Sequence, residues 1–232
     1  MTLNATIPTL EDDAHFGAYV AEPAGTPKAA IIVIQEIFGV NPGIRQKCDK
    51  LAADGYLAVA PDLFWRLEPG VALDPDVEAE FQTALDLMGK FDQDRGIRDI
   101  EATIHHIRRT MDVPKIGCVG YCLGGRLAYM TAARTDIDAS VGYYGVGIDG
   151  LLHEKHAIAN PLMLHIPTDD GFVSRKTQAA MHEGLDDHPR VTLHDYEGLD
   201  HGFATEHGKR RDEAAATLAD SRTAAFFADA LE

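Results

Sequence analysis

Positive charge is what this chain has least of. Its 232 residues carry 21 Lys and Arg against 37 Asp and Glu, a formal charge of −16. Nucleic acid and anionic membrane surfaces are bound by basic faces, so neither is an expected partner, although a small anionic substrate would need only a local cationic pocket. Cysteine is also scarce. Cys48, Cys118 and Cys122 form an odd set with no framework spacing, the pattern of a chain in a reducing cytoplasm without structural disulfides. Long apolar runs are missing: stretches such as residues 29–34 are strand-sized and far too short to span a bilayer. The first residues, Met1 to Thr6, have neither the basic nor the apolar region of a signal peptide. Internal repeats and low-complexity segments are absent from the sequence. The expectation is a cytoplasmic monomer or small homo-oligomer.

What is present is an ordinary globular composition, 45% hydrophobic, in a chain long enough for one α/β domain over residues 1–232. Short apolar or β-branched runs at residues 30–34, 56–60, 115–119, 139–144, 162–166 and 191–196 predict buried strands. Helical periodicity fills the intervals at 44–53, 76–88, 97–110, 125–134 and 176–185, and an alanine-rich stretch follows at 212–231. Continuous apolar strands alternating with helices predict a mostly parallel sheet covered on both faces. Residues 18–20 predict an antiparallel edge strand. In such sheets the chemistry sits on loops at the carboxyl ends of the strands.

One of those ends reads Gly120-Tyr121-Cys122-Leu123-Gly124-Gly125, between a predicted strand and a predicted helix. Gly-x-nucleophile-x-Gly in that setting is the nucleophile elbow of the α/β-hydrolase fold, with cysteine where serine is usual. A thiol with a reference pKa of about 8.5 is a poor nucleophile at neutral pH until a base or a helix N-terminus favours its thiolate. Two later strand ends carry suitable partners. Asp169 and Asp170 follow the run at 162–166, and His201 follows the run at 191–196. Nucleophile, acid and histidine thus occur in the chain order of an α/β-hydrolase triad, with His201 as base. Asp170 is favoured over Asp169; either could instead cap the next helix.

The backbone N–H groups of Leu123 and Ile37 are the expected oxyanion donors. Glu36, immediately after a buried strand, is costly to bury unpaired and is expected to face the site, where it could hydrogen-bond the resting thiol. Cys118 and Cys48 are read as core. No metal or other cofactor is expected: His153 and His156 lack the i, i+4 spacing of a zinc helix, and the glycine-rich run fits neither a phosphate loop nor a dinucleotide fingerprint.

At these residues the sequence resembles the dienelactone hydrolase (carboxymethylenebutenolidase) family. The matching pieces are Gln35-Glu36-Ile37-Phe38-Gly39-Val40-Asn41, the Cys122 elbow, Val141-Gly142-Tyr143-Tyr144-Gly145-Val146-Gly147, Asp170-Gly171-Phe172-Val173 and His201-Gly202-Phe203. The resemblance implies a Cys122-His201-Asp170 triad acting on a small ester or lactone. It further implies a gatekeeping Glu36 that substrate displaces from the thiol, and a pocket lined by Phe38 and Tyr144. The two arginines with which the family holds a substrate carboxylate correspond here to Phe81 and Thr205. A carboxylate-bearing lactone is therefore expected to bind poorly unless Arg66, His207 or Lys209 substitutes, and a neutral lactone or aryl ester is the alternative substrate. Phe81, Leu85 and Met88 share a helical face by spacing and suggest an apolar pocket wall or a sheet-packing face.

Overall fold

The computed structural model describes residues 3–206 and 208–232. The chain divides into two compact units, Met1–Ile116 and Gly117–Glu232.

The first unit holds strands β1 (Ala5–Pro8), β2 (His15–Ala21), β3 (Ala30–Ile34) and β4 (Leu57–Pro61), with helices α1 (Pro42–Ala53), α2 (Glu78–Lys90) and α3 (Gln93–Thr110). Its strands lie in the order β1-β2-β4-β3; β1–β2 and β2–β4 are antiparallel and β3–β4 is parallel. β3 and β4 are buried along their whole length, as their unbroken apolar sequences require. The antiparallel strand expected at 18–20 exists, but it is not an edge. β1 pairs along its outer side, a strand of only four residues and mostly half exposed, which leaves little hydrophobic pattern to read.

Local chemistry sets the helix starts. Asn41 accepts the Ile44 N–H at 3.1 Å, with Pro42 in the first turn of α1, and Asp92 accepts the Arg95 N–H at 3.1 Å to open α3. Ile97, Ile100, Ile104 and Ile107 form the buried stripe of α3. On α2 the buried residues are Ala84 and Leu87, whereas Phe81 and Leu85 are half buried and Met88 is exposed. The predicted Phe81-Leu85-Met88 stripe therefore flanks the packed face instead of forming it.

The second unit is a parallel array of β5 (Ile116–Tyr121), β6 (Ala139–Tyr143), β7 (Leu162–Pro167) and β8 (Val191–Tyr196), paired in that order. Helices α4 (Leu123–Arg134), α5 (Arg175–Leu185) and α6 (Glu213–Leu231) accompany it, with a 3₁₀ segment at Asp149–Ala157 that the sequence pattern did not predict. Neighbouring strand residues point to opposite faces. A Cβ on Gly142 would lie 2.8 Å from the Gly125 carbonyl of α4, whereas the next residue, Tyr143, reaches Thr223 of α6 at 2.7 Å. Helices thus cover both faces of this array. β8 was expected to be buried but is largely half exposed, because it pairs on one side only.

Behind the strand ends runs a buried polar chain. The Tyr143 hydroxyl bonds Asp220 at 3.0 Å and Thr223 at 2.7 Å; His165 contacts the Thr223 hydroxyl through Nε2 at 3.0 Å and the Tyr196 hydroxyl through Nδ1 at 2.7 Å. Burial first, then the charges of His194 and Arg222, hold the His165 pKa well below its ordinary 6.5. A base kept neutral in the folded state takes up a proton on unfolding once the pH falls below its unfolded value. This contribution to stability is therefore complete above pH 6.5 and is lost as the pH falls. Wild type should lose about 1.4 kcal/mol of unfolding free energy per pH unit below 6.5 from this group. Urea titrations at pH 7.5 and 5.5 should show a His165→Gln variant less stable at pH 7.5 but with a shallower acid decline; equal declines would refute the assignment.

Candidate active site

Cys122 follows the last residue of β5 and precedes the first of α4. Its backbone sits at φ 55° and ψ −114°, a conformation that L-residues rarely adopt and that costs on the order of 1–3 kcal/mol. The turn is held from both sides: the Cys122 N–H donates to the Tyr143 carbonyl at 3.0 Å, and the Gly125 N–H donates to the Cys122 carbonyl at 3.0 Å. The glycines are a matter of space. A Cβ on Gly120 would lie 1.9 Å from the Gly124 carbonyl oxygen, and one on Gly125 would lie 2.4 Å from that of Tyr143. Cys122 itself is half buried, whereas Cys48 and Cys118 are fully buried, and burial pushes both of their thiols above the ordinary range.

The structure brings His201 and Asp170 to this thiol. His201 Nδ1 lies 2.9 Å and 3.2 Å from the two carboxylate oxygens of Asp170. The Asp170 side chain has no exposed surface and that of His201 is 7% exposed, so water competes little for this contact. Asp170 also accepts the Phe172 and Val173 N–H groups, at 2.8 Å and 3.2 Å. Asp169 is turned away to Arg175 at 2.6 Å, and the helix cap that either aspartate could have supplied is Ser174.

The other ring nitrogen of His201, Nε2, is buried and makes no regular hydrogen bond. Cys122 is nonetheless near enough for a weak one. Burial opposes charge on the ring, but the Cys122 charge, followed by hydrogen bonding to Asp170 and Cys122, outweighs it and lifts the His201 pKa from 6.5 to about 10. Two aromatic rings fix the imidazole edge-to-face, Tyr144 at 4.9 Å and Phe172 at 4.8 Å. Tyr144, at φ 41°, is a second strained residue beside the site.

The acid and histidine loops are stitched together. Thr168 N–H donates to the Tyr196 carbonyl, Gly198 N–H to Thr168 Oγ1, Asp169 N–H to the Leu199 carbonyl and Gly171 N–H to Asp200 Oδ1, all at 2.9–3.0 Å. Asp200 Oδ1 also accepts the His201 N–H at 2.7 Å. Gln178, buried on α5, donates to the carbonyls of Pro167, Thr168 and Val173. Sequence reasoning missed Asp200 and Gln178. Only the Asp-His dipeptide hinted at the first.

In the first unit Glu36 lies just beyond β3 with 8% exposure and has interacting partners. Ile37 is buried beside it, and Leu123 is the first residue of α4 in the second unit. Phe38 and Phe81 make a tilted ring contact with centroids 5.9 Å apart within that unit. Of the candidate replacement cations, Arg66 is committed elsewhere: it pairs with Asp99 and lies 4.3 Å over the Trp65 ring. Lys209 is exposed, and His207 lies outside the described residues. Thr205 is half buried, and its hydroxyl has no hydrogen-bond partner among the described residues. Among the described residues no group of three or more His, Cys, Asp or Glu side chains is disposed to hold a metal, and no helix is long and apolar enough to cross a membrane.

A cysteine on an elbow turn beside a histidine and a buried aspartate, on a parallel α/β framework, matches the α/β-hydrolase fold. The family comparisons agree. The chain is similar to the crystal structure of "Putative Dienelactone Hydrolase" from Klebsiella pneumoniae subsp. pneumoniae MGH 78578, with a TM-score of 0.83, 26% identity and 97% of each chain covered. It is 46% identical to the "Putative carboxymethylenebutenolidase" of Azospirillum brasilense, over 93% of this chain and 94% of the relative. It is 40% identical to the carboxymethylenebutenolidase of Pseudomonas putida, over 93% and 92%. The dienelactone hydrolase family model matches residues 16–231. The chain belongs to the dienelactone hydrolase family and is a carboxylic ester hydrolase.

Replacing Asp200 with Ala would remove the acceptor of the Gly171 and His201 N–H groups and, with water able to reach the exposed Gly171, should cost about 0.5–1.5 kcal/mol, read as a lower urea midpoint. Asp200→Asn retains an oxygen and should lose less. Equal midpoints for wild type and Asp200→Ala would show that the two loops do not depend on this carboxylate.

Proposed function

We propose that this protein, acting as a single hydrolase domain over its two units, opens lactones or other activated esters through Cys122, His201 and Asp170. The observation that carries this reading is the His201 ring itself, held by buried Asp170 on one nitrogen and raised to about 10 with the Cys122 charge as the largest favourable cause. A histidine so placed keeps the thiol proton and leaves sulfur as nucleophile. Asp170 orients the ring and stabilises the imidazolium.

In the first half-reaction the Cys122 thiolate adds to the substrate carbonyl, and the oxyanion is received by the N–H groups of Leu123 and Ile37. Collapse breaks the acyl C–O bond. The departing oxygen takes the proton from His201 Nε2, leaving a Cys122 thioester. In the second half-reaction water gives its proton to His201 as it attacks the thioester. The acid is released and sulfur regains its starting state. Glu36 is the gatekeeper: its carboxylate holds the resting thiol until substrate displaces it. The relatives' name, carboxymethylenebutenolidase, points to an unsaturated lactone that carries a carboxylate. The Phe38–Phe81 pair favours a second reading, a neutral lactone or aryl ester.

Mass spectrometry of enzyme quenched during turnover should reveal an acyl adduct on the peptide containing Cys122. Cys122→Ala should lose hydrolysis by at least about 1,000-fold; residual activity near wild type would overturn the triad. Iodoacetamide should alkylate Cys122 at pH 6.5 at least about tenfold faster than a free thiol, because His201 takes the proton as the thiol leaves Glu36. His201→Gln should remove that advantage. Glu36→Gln should change the resting alkylation rate while leaving the thermal midpoint within a few degrees; an unchanged rate would leave Glu36 an ordinary loop carboxylate.

A further inference from the structure

Arg210 stands out among the cations of the second unit. It is exposed, on the segment between β8 and α6. Its guanidinium lies 5.6 Å over the Phe172 ring, and its Nη1 reaches the His201 carbonyl at 3.4 Å. The aliphatic part of the side chain packs beside Gly202, where an added Cβ would stand 3.2 Å from Arg210 Cδ. Other arginines of the second unit are paired with carboxylates: Arg175 with Asp169, Arg211 with Glu213 and Arg134 with Glu154. Arg210 forms no ion pair among the described residues. It is felt by Asp200, whose pKa stays low despite burial because the Gly171 and His201 N–H groups, then Arg210, outweigh the burial.

The other half of the arrangement is Phe172. It is 50% exposed, a large apolar ring left in solvent, with His201 edge-to-face at 4.8 Å and Arg210 over it. An exposed aromatic beside a reacting histidine offers a flat contact for a conjugated group. The guanidinium above it is planar and carries several donors, of which one is used, weakly, among the described residues. In a chain of charge −16, a cation with no ion pair among the described residues, one ring away from the catalytic imidazole, is placed to attract a substrate anion.

We propose that Arg210 and Phe172 form a specificity-determining lip that binds a carboxylate on a planar, conjugated ester or lactone whose carbonyl is presented to Cys122. Arg210 takes the anion and Phe172 the conjugated plane. The proposal rests on the reading of Cys122 as nucleophile, and it puts Arg210 in the place for which the sequence offered Arg66, His207 or Lys209.

The test uses two pairs of probes, each an anion and a neutral counterpart of similar shape, with opening of the lactone ring followed in the ester pair. Steady-state hydrolysis of a carboxymethylene butenolide is compared with that of its neutral methyl ester, for wild type, Arg210→Gln and Arg210→Lys. Arg210→Gln should raise KM for the anion about tenfold with kcat within about twofold, should leave the methyl ester unchanged, and should flatten the dependence of KM on salt. Arg210→Lys should recover part of the loss. Alkylation by iodoacetate and by iodoacetamide supplies a readout that needs no hydrolysis. The ratio of the two rates at Cys122 should fall several-fold in Arg210→Gln. An unchanged ratio and equal effects on both esters would overturn the lip. Retained hydrolysis in Cys122→Ala would overturn the nucleophile instead, and the alkylation ratio would still decide whether Arg210 attracts anions to this site.

Discussion

Every part of the candidate site depends on the backbone of one residue being held where it does not rest by itself. At φ 55° and ψ −114°, Cys122 is strained, and the strain persists because the surrounding structure over-determines the turn. The Tyr143 carbonyl receives its N–H, α4 begins on its carbonyl, and the Gly120 and Gly124 backbones approach too closely for any side chain on Gly120. The outcome is a sulfur presented at the N-terminus of α4 instead of folded back into the strand, where Cys118 lies buried against Ser140. Two cysteines four positions apart on one strand-turn unit thus have opposite fates. The difference is local backbone geometry.

The strands of the parallel series were legible because burial on both faces writes itself as an uninterrupted apolar run, and β3 and β4 obey that rule completely. The elbow was legible because a turn with no room for Cβ atoms leaves glycines at fixed offsets. β1 was missed, since a short, mostly half-exposed strand is defined by its partner more than by its own residues. β8 was placed correctly but judged too buried, because an apolar run cannot say whether a strand is paired on one side or on both. On α2 the spacing located a face, whereas contact decided that Ala84 and Leu87 are the buried positions and Phe81 pairs with Phe38.

The site followed the same division. Cys122, Asp170 and His201, each written into a motif, could be expected in advance to lie together. Residues whose role arises from the meeting of two loops could not. Asp200 matters because Gly171 comes to it from another loop, and Arg210 because Phe172 does. Counting cations at the family's two positions missed Arg210 for that reason: alignment registers a residue's place in the chain, while electrostatics registers only its place in space.

The stitched loops have a mechanical corollary. Because Thr168, Asp169, Gly171, Gly198 and Asp200 tie the acid segment to the histidine segment, Asp170 and His201 belong to one stiff plate. The sulfur is mounted separately, on the turn into α4. The imidazole-to-carboxylate contact is thus fixed by hydrogen bonds between two loops in which the cysteine takes no part.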